Sequence, residues 1–276
     1  MESKDLDWLL MNEQQIRMTF FFGILCLVAF WEILVPRRKL NQSKGIRWYS
    51  NLGIVVINTL LIRLVFPFVA TGFAVIVAEN QWGLFHQIDL PYWPVAVITF
   101  LFLDFAVYFQ HFVFHHLPWM WRLHRMHHTD LDYDVTTGSR FHPIEIILSM
   151  LIKIGIVFLL GVTPEVVLIF EITLNLTAMF NHGNIYLPGF IDKYLRLLVV
   201  TPDMHRIHHS TIKAETNSNY GFNFPWWDRI FGTYRHQPQK GHLNMEIGLN
   251  IFKDPDNLHL HKMLIQPFLA APKNDD

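Results

Sequence analysis

The 276-residue sequence contains little charge and almost no cysteine. Asp, Glu, Lys and Arg make up 16% of the residues, whereas 51% are hydrophobic and the formal net charge is -1. Soluble domains carry about 25% charged residues, so this composition predicts a membrane protein. The single cysteine, Cys26, lies in an apolar run and excludes an intrachain disulfide, which leaves the redox compartment open.

Long basic runs are also missing, and the isoelectric point is near neutral. Because nucleic-acid binding needs a concentrated positive face, we expect no nucleic-acid partner. Histidine is abundant instead, with 16 residues against 22 lysines and arginines. Six histidines fall into two short segments, RLHRMHHTD at 122–130 and MHRIHHS at 204–210.

Apolar segments predict about four to five membrane helices. The first covers 19–35, and the second and third cover 52–79 and 93–117. The first is followed by the basic residues Arg37, Arg38, Lys39, Lys44 and Arg47, which favour a cytoplasmic exit. The segment 144–181 is broken at 161–164 and predicts a helical hairpin. Each arm of about 17 residues would measure about 25 Å, so the hairpin is either shallow or fully crossing.

These segments predict an all-α integral membrane protein. The N-terminus lies outside, and a cytoplasmic helical cap encloses a histidine-rich dimetal site. Positive charge and histidine placement agree on this topology. The segment IDKYLRLLVV at 191–200 predicts an amphipathic helix at the membrane surface.

One polar stripe is expected inside the third membrane helix. Asp104, Tyr108, His111 and His115 are spaced by 4, 3 and 4 residues, which places them on one helix face. Ionisable groups at membrane depth are costly and favour a functional role. We therefore expect this stripe to face a polar centre inside the protein.

The two histidine segments share one spacing. Each has the spacing i, i+3, i+4, which places three imidazoles on one face of a helical turn: His124, His127 and His128, then His205, His208 and His209. Such groups converge on a metal ion from rigid backbone. With the HxxxH pair His111 and His115 they make eight histidines, too many for one ion. Two metals are therefore predicted.

Other histidines are open to structural interpretations. By pattern alone His182 is a capping or loop residue, and His142, before Pro143, is at least as consistent with a structural role as with a metal role. His116 points away from its neighbour His115. We expect the remaining histidines to be surface residues: His86, His236, His242, His259 and His261.

An all-imidazole site suits iron, zinc or copper. A redox metal beside a membrane cavity favours lipid oxidation by dioxygen, whereas an open water-bearing site with a catalytic carboxylate favours hydrolysis. A di-zinc hydrolase and a non-catalytic metal-binding protein, such as a transporter or a metal sensor, are the alternatives.

Four ordered segments resemble the fatty acid hydroxylase superfamily, to which sterol desaturase family proteins belong. They are DFAVYFQHFVFH at 104–115, WRLHRMHH at 121–128, NHGN at 181–184 and TPDMHRIHH at 201–209. The later segment NYGFNFPWWDRIFGTY at 219–234 resembles the one that usually follows the last family motif. The resemblance covers roughly residues 95–235.

The resemblance implies an integral membrane di-iron enzyme that uses dioxygen and external electrons to hydroxylate or desaturate a lipid, such as a sterol or fatty acyl chain. Its implied ligands are His111, His115, His124, His127, His128, His182, His205, His208 and His209. The implied cofactor is two iron ions, with zinc as an alternative occupant after purification. Phe112 stands where many members have arginine.

The implied partners are a lipid substrate and a separate electron donor of the ferredoxin or cytochrome b5 type, because we expect no fused cytochrome b5 domain. We favour the bacterial inner membrane over the endoplasmic reticulum. The chain would divide into an N-terminal transmembrane region at 1–92, a catalytic domain at 93–236 and a cytoplasmic tail at 237–276.

Around the metals, we expect three supporting side chains. Asp104 and Asp228 would accept hydrogen bonds from ring N–H groups of ligand histidines, and His142 would lie beside the ligands. For Asp228 the alternative is a surface ion pair with the neighbouring Arg229.

Overall fold

A computed structural model describes residues 8–270, and within them the chain is helical, with no strands. Two isolated bridges join Pro36 to Ile185 and Ser210 to Ile247. The long helices are α1 (Glu13–Leu34), α2 (Lys44–Val65), α3 (Ala70–Glu79), α4 (Tyr92–His116), α5 (Pro118–His128), α6 (Pro143–Leu160) and α7 (Pro164–Asn181). The short helices are α8 (Gly189–Leu195), α9 (Pro202–His208), α10 (Lys213–Thr216), α11 (Trp226–Ile230), α12 (Gly241–Asn244) and α13 (Leu260–Ile265).

Four segments are long and apolar enough to cross a membrane, which confirms the all-α membrane architecture. They are Glu13–Leu34, Lys44–His86, Tyr92–His116 and Pro143–Leu160. The second contains α2 and α3 and is interrupted at 66–69, where Pro67 lacks the backbone N–H that a continuous helix needs.

The outer surface of these helices is apolar. Large side chains are exposed along α1 and α2, among them Leu27, Phe30, Ile33, Leu60 and Leu64. Exposed apolar surface of this extent is typical of lipid contact. Their neighbours on the inner faces, such as Val28 and Ile54, are buried in the helix bundle.

The predicted hairpin forms from α6 and α7. Gly161 follows α6 with φ of 72°, a left-handed conformation that glycine adopts without a Cβ clash, and α7 begins at Pro164. Helix α7 packs against α1, α3, α4 and α9, which makes it the central helix. It carries Glu165 and Glu171 and is not among the four candidate spans of residues 8–270.

The cap, which we define as residues 117–142 and 182–270, lies at one end of the bundle. Its short helices α8 to α13 are joined by irregular segments. Four arginines are fully buried inside it: Arg125, Arg140, Arg196 and Arg206. A fifth, Arg47 at the start of α2, enters the cap and binds Asp130 through its Nε and Nη2 atoms at 2.7 and 2.9 Å.

The described part of the C-terminal segment, 237–270, packs on the cap. Helix α13 contacts α2, and the turn Gln266–Phe268 contacts α5. The carbonyls of Gln266 and Leu269 accept hydrogen bonds from Arg125 at 2.5 and 2.6 Å. This segment therefore closes the side of the cap that α5 would otherwise expose.

Candidate metal centre

Nine histidines converge where the cap meets α4 and α7. Helix α4 supplies two, α5 supplies three, the C-terminal end of α7 supplies one and the region of α9 supplies three. All nine are buried, and none is more than 9% exposed: His111, His115, His124, His127, His128, His182, His205, His208 and His209. The polar stripe expected on α4 is buried as a whole, since Asp104 and Tyr108 are 1% and 3% exposed.

The nine residues form two separate groups. In each group the ligand nitrogens lie within 4.8 Å of one another. The five-histidine group contains His111, His115, His124, His128 and His208, and the four-histidine group contains His127, His182, His205 and His209. The two groups are adjacent, because the ring centroids of His128 and His209 are 4.6 Å apart.

This grouping differs from the expectation that each histidine segment acts as a unit of three imidazoles. Residues spaced i, i+4 stay together, as in the pair His124 and His128 and the pair His205 and His209. The middle histidine of each segment lies in a different group from its two neighbours in that segment. His127 therefore lies in one group with His205, and His208 lies in one group with His128. The cause is geometric. On a helix, a residue at i+3 points about 60° away from a residue at i, on the opposite side from i+4.

Hydrogen bonds fix the ring orientations. The Nδ1–H groups of three histidines donate to backbone carbonyls: His111 to Tyr220 at 2.8 Å, His182 to Ala178 at 2.6 Å and His208 to Ser218 at 2.7 Å. Two others donate to side chains, His124 to Glu145 at 2.7 Å and His115 to Asn217 at 3.2 Å. Each of these five rings therefore presents its Nε2 lone pair to a group.

The arrangement fits metal ions. The Nε2 atoms of His111 and His124 are 3.0 Å apart, and those of His127 and His182 are 3.2 Å apart. Two imidazoles on one ion with bonds of about 2.1 Å would have nitrogens about 3.0–3.4 Å apart. Lone pairs at this separation repel each other unless a cation attracts both. Both ring nitrogens of His128, His205 and His209 also lack a hydrogen-bond partner among the described residues.

The protonation state suits ligation too. Burial is the main cause that lowers the pKa of His128, His205, His208 and His209 well below its usual value, and neighbouring imidazoles lower it further. These rings are therefore neutral near pH 7, and neutral imidazole is the form that binds a metal.

A glycine permits the close packing around His182. A Cβ on Gly138 would lie 2.5 Å from the carbonyl oxygen of Ala178 and 3.2 Å from His182 Nδ1. That carbonyl is the acceptor that orients His182. Any larger residue at 138 would push the turn Val135–Ser139 away from α7.

The three expected supporting residues have other partners in the structure. Asp104 accepts a hydrogen bond from Trp227 Nε1 at 2.8 Å. Asp228 accepts from the backbone N–H groups of Tyr220 and Gly221, both at 2.8 Å. Thr233 Oγ1 also donates to Asp228 at 2.7 Å, and the carboxylate is buried, so within residues 8–270 it makes neither the expected histidine contact nor a surface ion pair. Asp228 instead holds the backbone of Tyr220, whose carbonyl orients a ligand ring.

His142 is a helix cap and not a neighbour of the ligands. Its Nδ1 accepts from the N–H of Ile144 at 3.2 Å, and its Nε2–H donates to the carbonyl of Leu264 at 3.2 Å. Both ring nitrogens are thus used at the start of α6. The residue that reaches the site from this turn is Glu145, which contacts His124. Glu145 was not predicted from the sequence, although a charged residue at the start of an apolar helix is a signal that could have indicated it.

The expectation for His242 was wrong. It is 6% exposed and lies 3.7 Å from Asp203, beneath the surface of the cap. By contrast, His116 is exposed and stacks on Phe112, outside both groups.

Two neighbouring cavities lie beside α4, and one of them reaches the site. The first has a volume of about 270 Å³ and is lined by His111, His124 and Glu145 at one end. The second has a volume of about 330 Å³ and an almost wholly apolar wall that includes Phe105 and Phe109. Gln110 and Phe114 of α4 line both cavities: the first cavity touches the five-histidine group, and the second lies beside side chains that are exposed on the outer surface, such as Phe102 and Phe109.

The region that contains this centre also identifies the protein family. The fatty acid hydroxylase family model matches residues 96–233, half of the chain, and this region contains all nine histidines. The chain belongs to the fatty acid hydroxylase family. The resemblance carried by the histidine segments is thereby confirmed.

Relatives of known activity act on several lipids. Ornithine lipid hydroxylase OlsE of Rhizobium tropici is 27% identical over 226 residues, which cover 79% of this chain and 67% of the relative. Alkylglycerol monooxygenase of Xenopus tropicalis is 29% identical over 195 residues, covering 69% and 42%. Human lathosterol oxidase is 28% identical over 160 residues, covering 57% and 49%.

The matched region thus spans less than half of the last two relatives. No solved structure matches the chain significantly. The relatives support a membrane oxidoreductase that acts on lipid.

Proposed function

We propose that this protein is a dioxygen-dependent di-iron enzyme that hydroxylates or desaturates a membrane lipid. The single observation that carries the proposal is the division of nine buried histidines into two adjacent groups at the end of a membrane cavity. Two groups would hold two metals, and an all-imidazole donor set of five and four suits iron.

Iron bound in the two groups would supply the redox chemistry that activates dioxygen and oxidises an unactivated C–H bond. The chain supplies position and exclusion of water. Glu145 and the backbone carbonyls of Tyr220 and Ser218 hold the rings so that Nε2 faces inward. Because the cap buries all nine histidines, solvent is kept from the reacting centre.

The cavities support a lipid as substrate. The second cavity faces the apolar exterior, where Phe102 and Phe109 are exposed, and offers an entry from the bilayer. The first cavity continues to His111 and His124 of the five-histidine group. A lipid that entered this way would reach the five-histidine group first. The relatives act on an ornithine lipid, an alkylglycerol and lathosterol, which supports the same substrate class.

Electrons would come from a separate protein of the ferredoxin or cytochrome b5 type. The basic residues after α1 favour a cytoplasmic site, and the bacterial relative favours the inner membrane. The donor set favours the oxidising enzyme over a di-zinc hydrolase. Neither histidine group includes a carboxylate that could act as a general base, and Glu145 is engaged with His124.

The decisive experiment is metal analysis of protein produced with iron in excess, followed by oxygen uptake with a reductant and membrane lipid. We expect about two irons per chain and oxygen uptake that depends on both additions. Lipid extracts of cells with and without the protein should differ by a product that has gained one oxygen or lost two hydrogens. Stoichiometric zinc without iron, together with no oxygen uptake, would overturn the proposal.

A further inference from the structure

A charged cluster lies at the end of the first cavity opposite the histidines. Arg17 of α1, Lys153 of α6 and Glu171 of α7 all line this cavity. Arg17 Nη2 donates to Glu171 at 2.6 Å and to Thr71 at 2.8 Å, and Lys153 donates to the other oxygen of Glu171. Lys153 lies in the middle of α6, a candidate membrane span, where a charged group is costly and favours a functional role.

Two helices place this cluster at similar distances from residues that hold ligand histidines. Lys153 lies eight residues beyond Glu145 on α6, which corresponds to about 12 Å along the helix axis. Glu171 lies seven residues before Ala178 on α7, which corresponds to about 10 Å. Glu145 and Ala178 each hold a ligand histidine. The cavity thus has a metal end and a charged end.

Hydrogen-bond donors remain unused at the charged end. Arg17 uses Nε for Glu13 and Nη2 for Thr71 and Glu171, while its Nη1 atom has no partner among the described residues. Lys153 makes one hydrogen bond with its three donors. The free groups are therefore N–H donors, and they suit a ligand atom that accepts a hydrogen bond.

The net charge of the cluster indicates whether the ligand oxygen is charged or neutral. The two positive charges of Arg17 and Lys153 are balanced by Glu171 and by Glu13, which pairs with Arg17 but does not line the cavity. A carboxylate or phosphate would add an uncompensated charge at membrane depth, which costs desolvation energy. A hydroxyl, ether or carbonyl oxygen would use the free donors without adding charge.

We propose that this charged end binds a neutral oxygen acceptor on the lipid substrate, while the hydrocarbon part occupies the adjoining apolar cavity. The proposal rests on the proposed function and narrows its substrate class to lipids with an alcohol, ether or ester oxygen. Because Lys153 and Glu145 are about 12 Å apart along the axis of α6, the proposal predicts that the oxidised carbon lies about that far from the bound oxygen.

The test is ligand binding without turnover. Iron-loaded protein without electron donor is equilibrated with tritiated hexadecanol and competed with unlabelled hexadecanol, methyl palmitate, palmitate, hexadecyl phosphate or hexadecane at neutral pH. We expect hexadecanol and methyl palmitate to compete at concentrations about tenfold below that of hexadecane, as hydrogen bonds to charged donors predict. The two charged lipids should show no advantage over hexadecane.

The informative variant is the charge-neutral double substitution Lys153→Met with Glu171→Met. It removes the free donors of Lys153 and leaves Arg17 paired with Glu13, so folding is spared the cost of an unpaired charge. We expect the advantage of hexadecanol over hexadecane to fall about threefold or more, because Arg17 is then the one residue of the pair that keeps free donors, while hexadecane binding does not weaken. The control is Lys240→Met, which removes an exposed lysine of the cap and should preserve the advantage.

Three results would overturn this inference: stronger competition by palmitate than by hexadecanol, stronger competition by hexadecyl phosphate than by hexadecanol, or an advantage of hexadecanol that the double substitution leaves unchanged. Since the assay involves no oxidation, these results leave the proposed function intact. Failure of iron binding or oxygen uptake in the wild-type protein would instead count against the proposed function alone.

Discussion

The membrane helices and the cap are built with opposite distributions of polarity. On α1, Leu27 and Phe30 are 59% and 60% exposed, although they are large and apolar. In the cap, Arg140 and Arg206 are fully buried. Lipid solvates apolar side chains on the outside of the bundle, so the bundle has no need to bury them. The cap must surround neutral imidazoles and their partners, so its interior is polar and held by hydrogen bonds and ion pairs.

This contrast shows where substitutions should be harmful. In the cap a buried polar group that loses its partner pays a desolvation penalty. On the outer face of the membrane helices a side chain exchanges protein contacts for lipid contacts at little cost.

The largest effect is expected from adjacent histidines that serve different groups. His127→Ala and His128→Ala should each reduce bound metal from about two ions per chain to about one, because each removes a ligand from a different group. Lipid oxidation should fall by more than the 10- to 100-fold that loss of an outer partner causes. Metal analysis and product formation on membrane-inserted protein measure both.

His116→Ala is the matched control, since this histidine is exposed and outside both groups. It should keep two metals and full activity. Removing His127 and His128 together should abolish binding of both ions. Unchanged metal content in both single variants, and also in His208→Ala and His209→Ala, would refute the ligand assignment.

The sequence could indicate which histidines are candidate ligands, but not how they are grouped. Their spacing locates each one on a helix turn, and local spacing is all that a pattern records. Which histidines share a group depends on how α4, α5 and α9 cross. The hydrogen-bond partners of the rings are also too far away in sequence for a local pattern to reveal them. Glu145 lies 21 residues from His124, and Asn217 lies 102 residues from His115.

The same limit applies to the basic residues after α1. Hydropathy correctly indicated the apolar helices, because length and composition decide whether a helix fits the bilayer. The positions of positive charges in the sequence, however, placed Arg47 in the basic flank that follows the first membrane helix. The structure buries Arg47 completely between Asp130 and Asp134, so its charge is neutralised within the protein. A count of positive charges cannot distinguish a buried ion pair from a membrane flank.

Breaking this ion pair gives the second prediction. Arg47→Met should lower the free energy of unfolding by about 3–5 kcal/mol, because it leaves Asp130 and Asp134 as buried carboxylates without their cation. Thermal or denaturant unfolding of the purified protein measures the loss. Lys240→Met breaks an exposed pair with Glu246 and should cause no measurable loss. Equal stability of the two variants would show that the cap does not depend on its buried charges.

The smallest effect is expected on the membrane side, from two neighbours on α1. Leu27 is 59% exposed and Val28 is 1% exposed, so they test the lipid-facing and the inner surface of one helix turn. Val28→Ala should cost about 1 kcal/mol through lost packing against the Ile185 and Met179 cluster. Leu27→Ala should cost less than about 0.5 kcal/mol, because lipid replaces the deleted atoms. The measurement is unfolding of both variants in the same lipid or detergent. A greater loss for Leu27→Ala would mean that this face of α1 contacts protein, and the polarity contrast between bundle and cap would then not extend to α1.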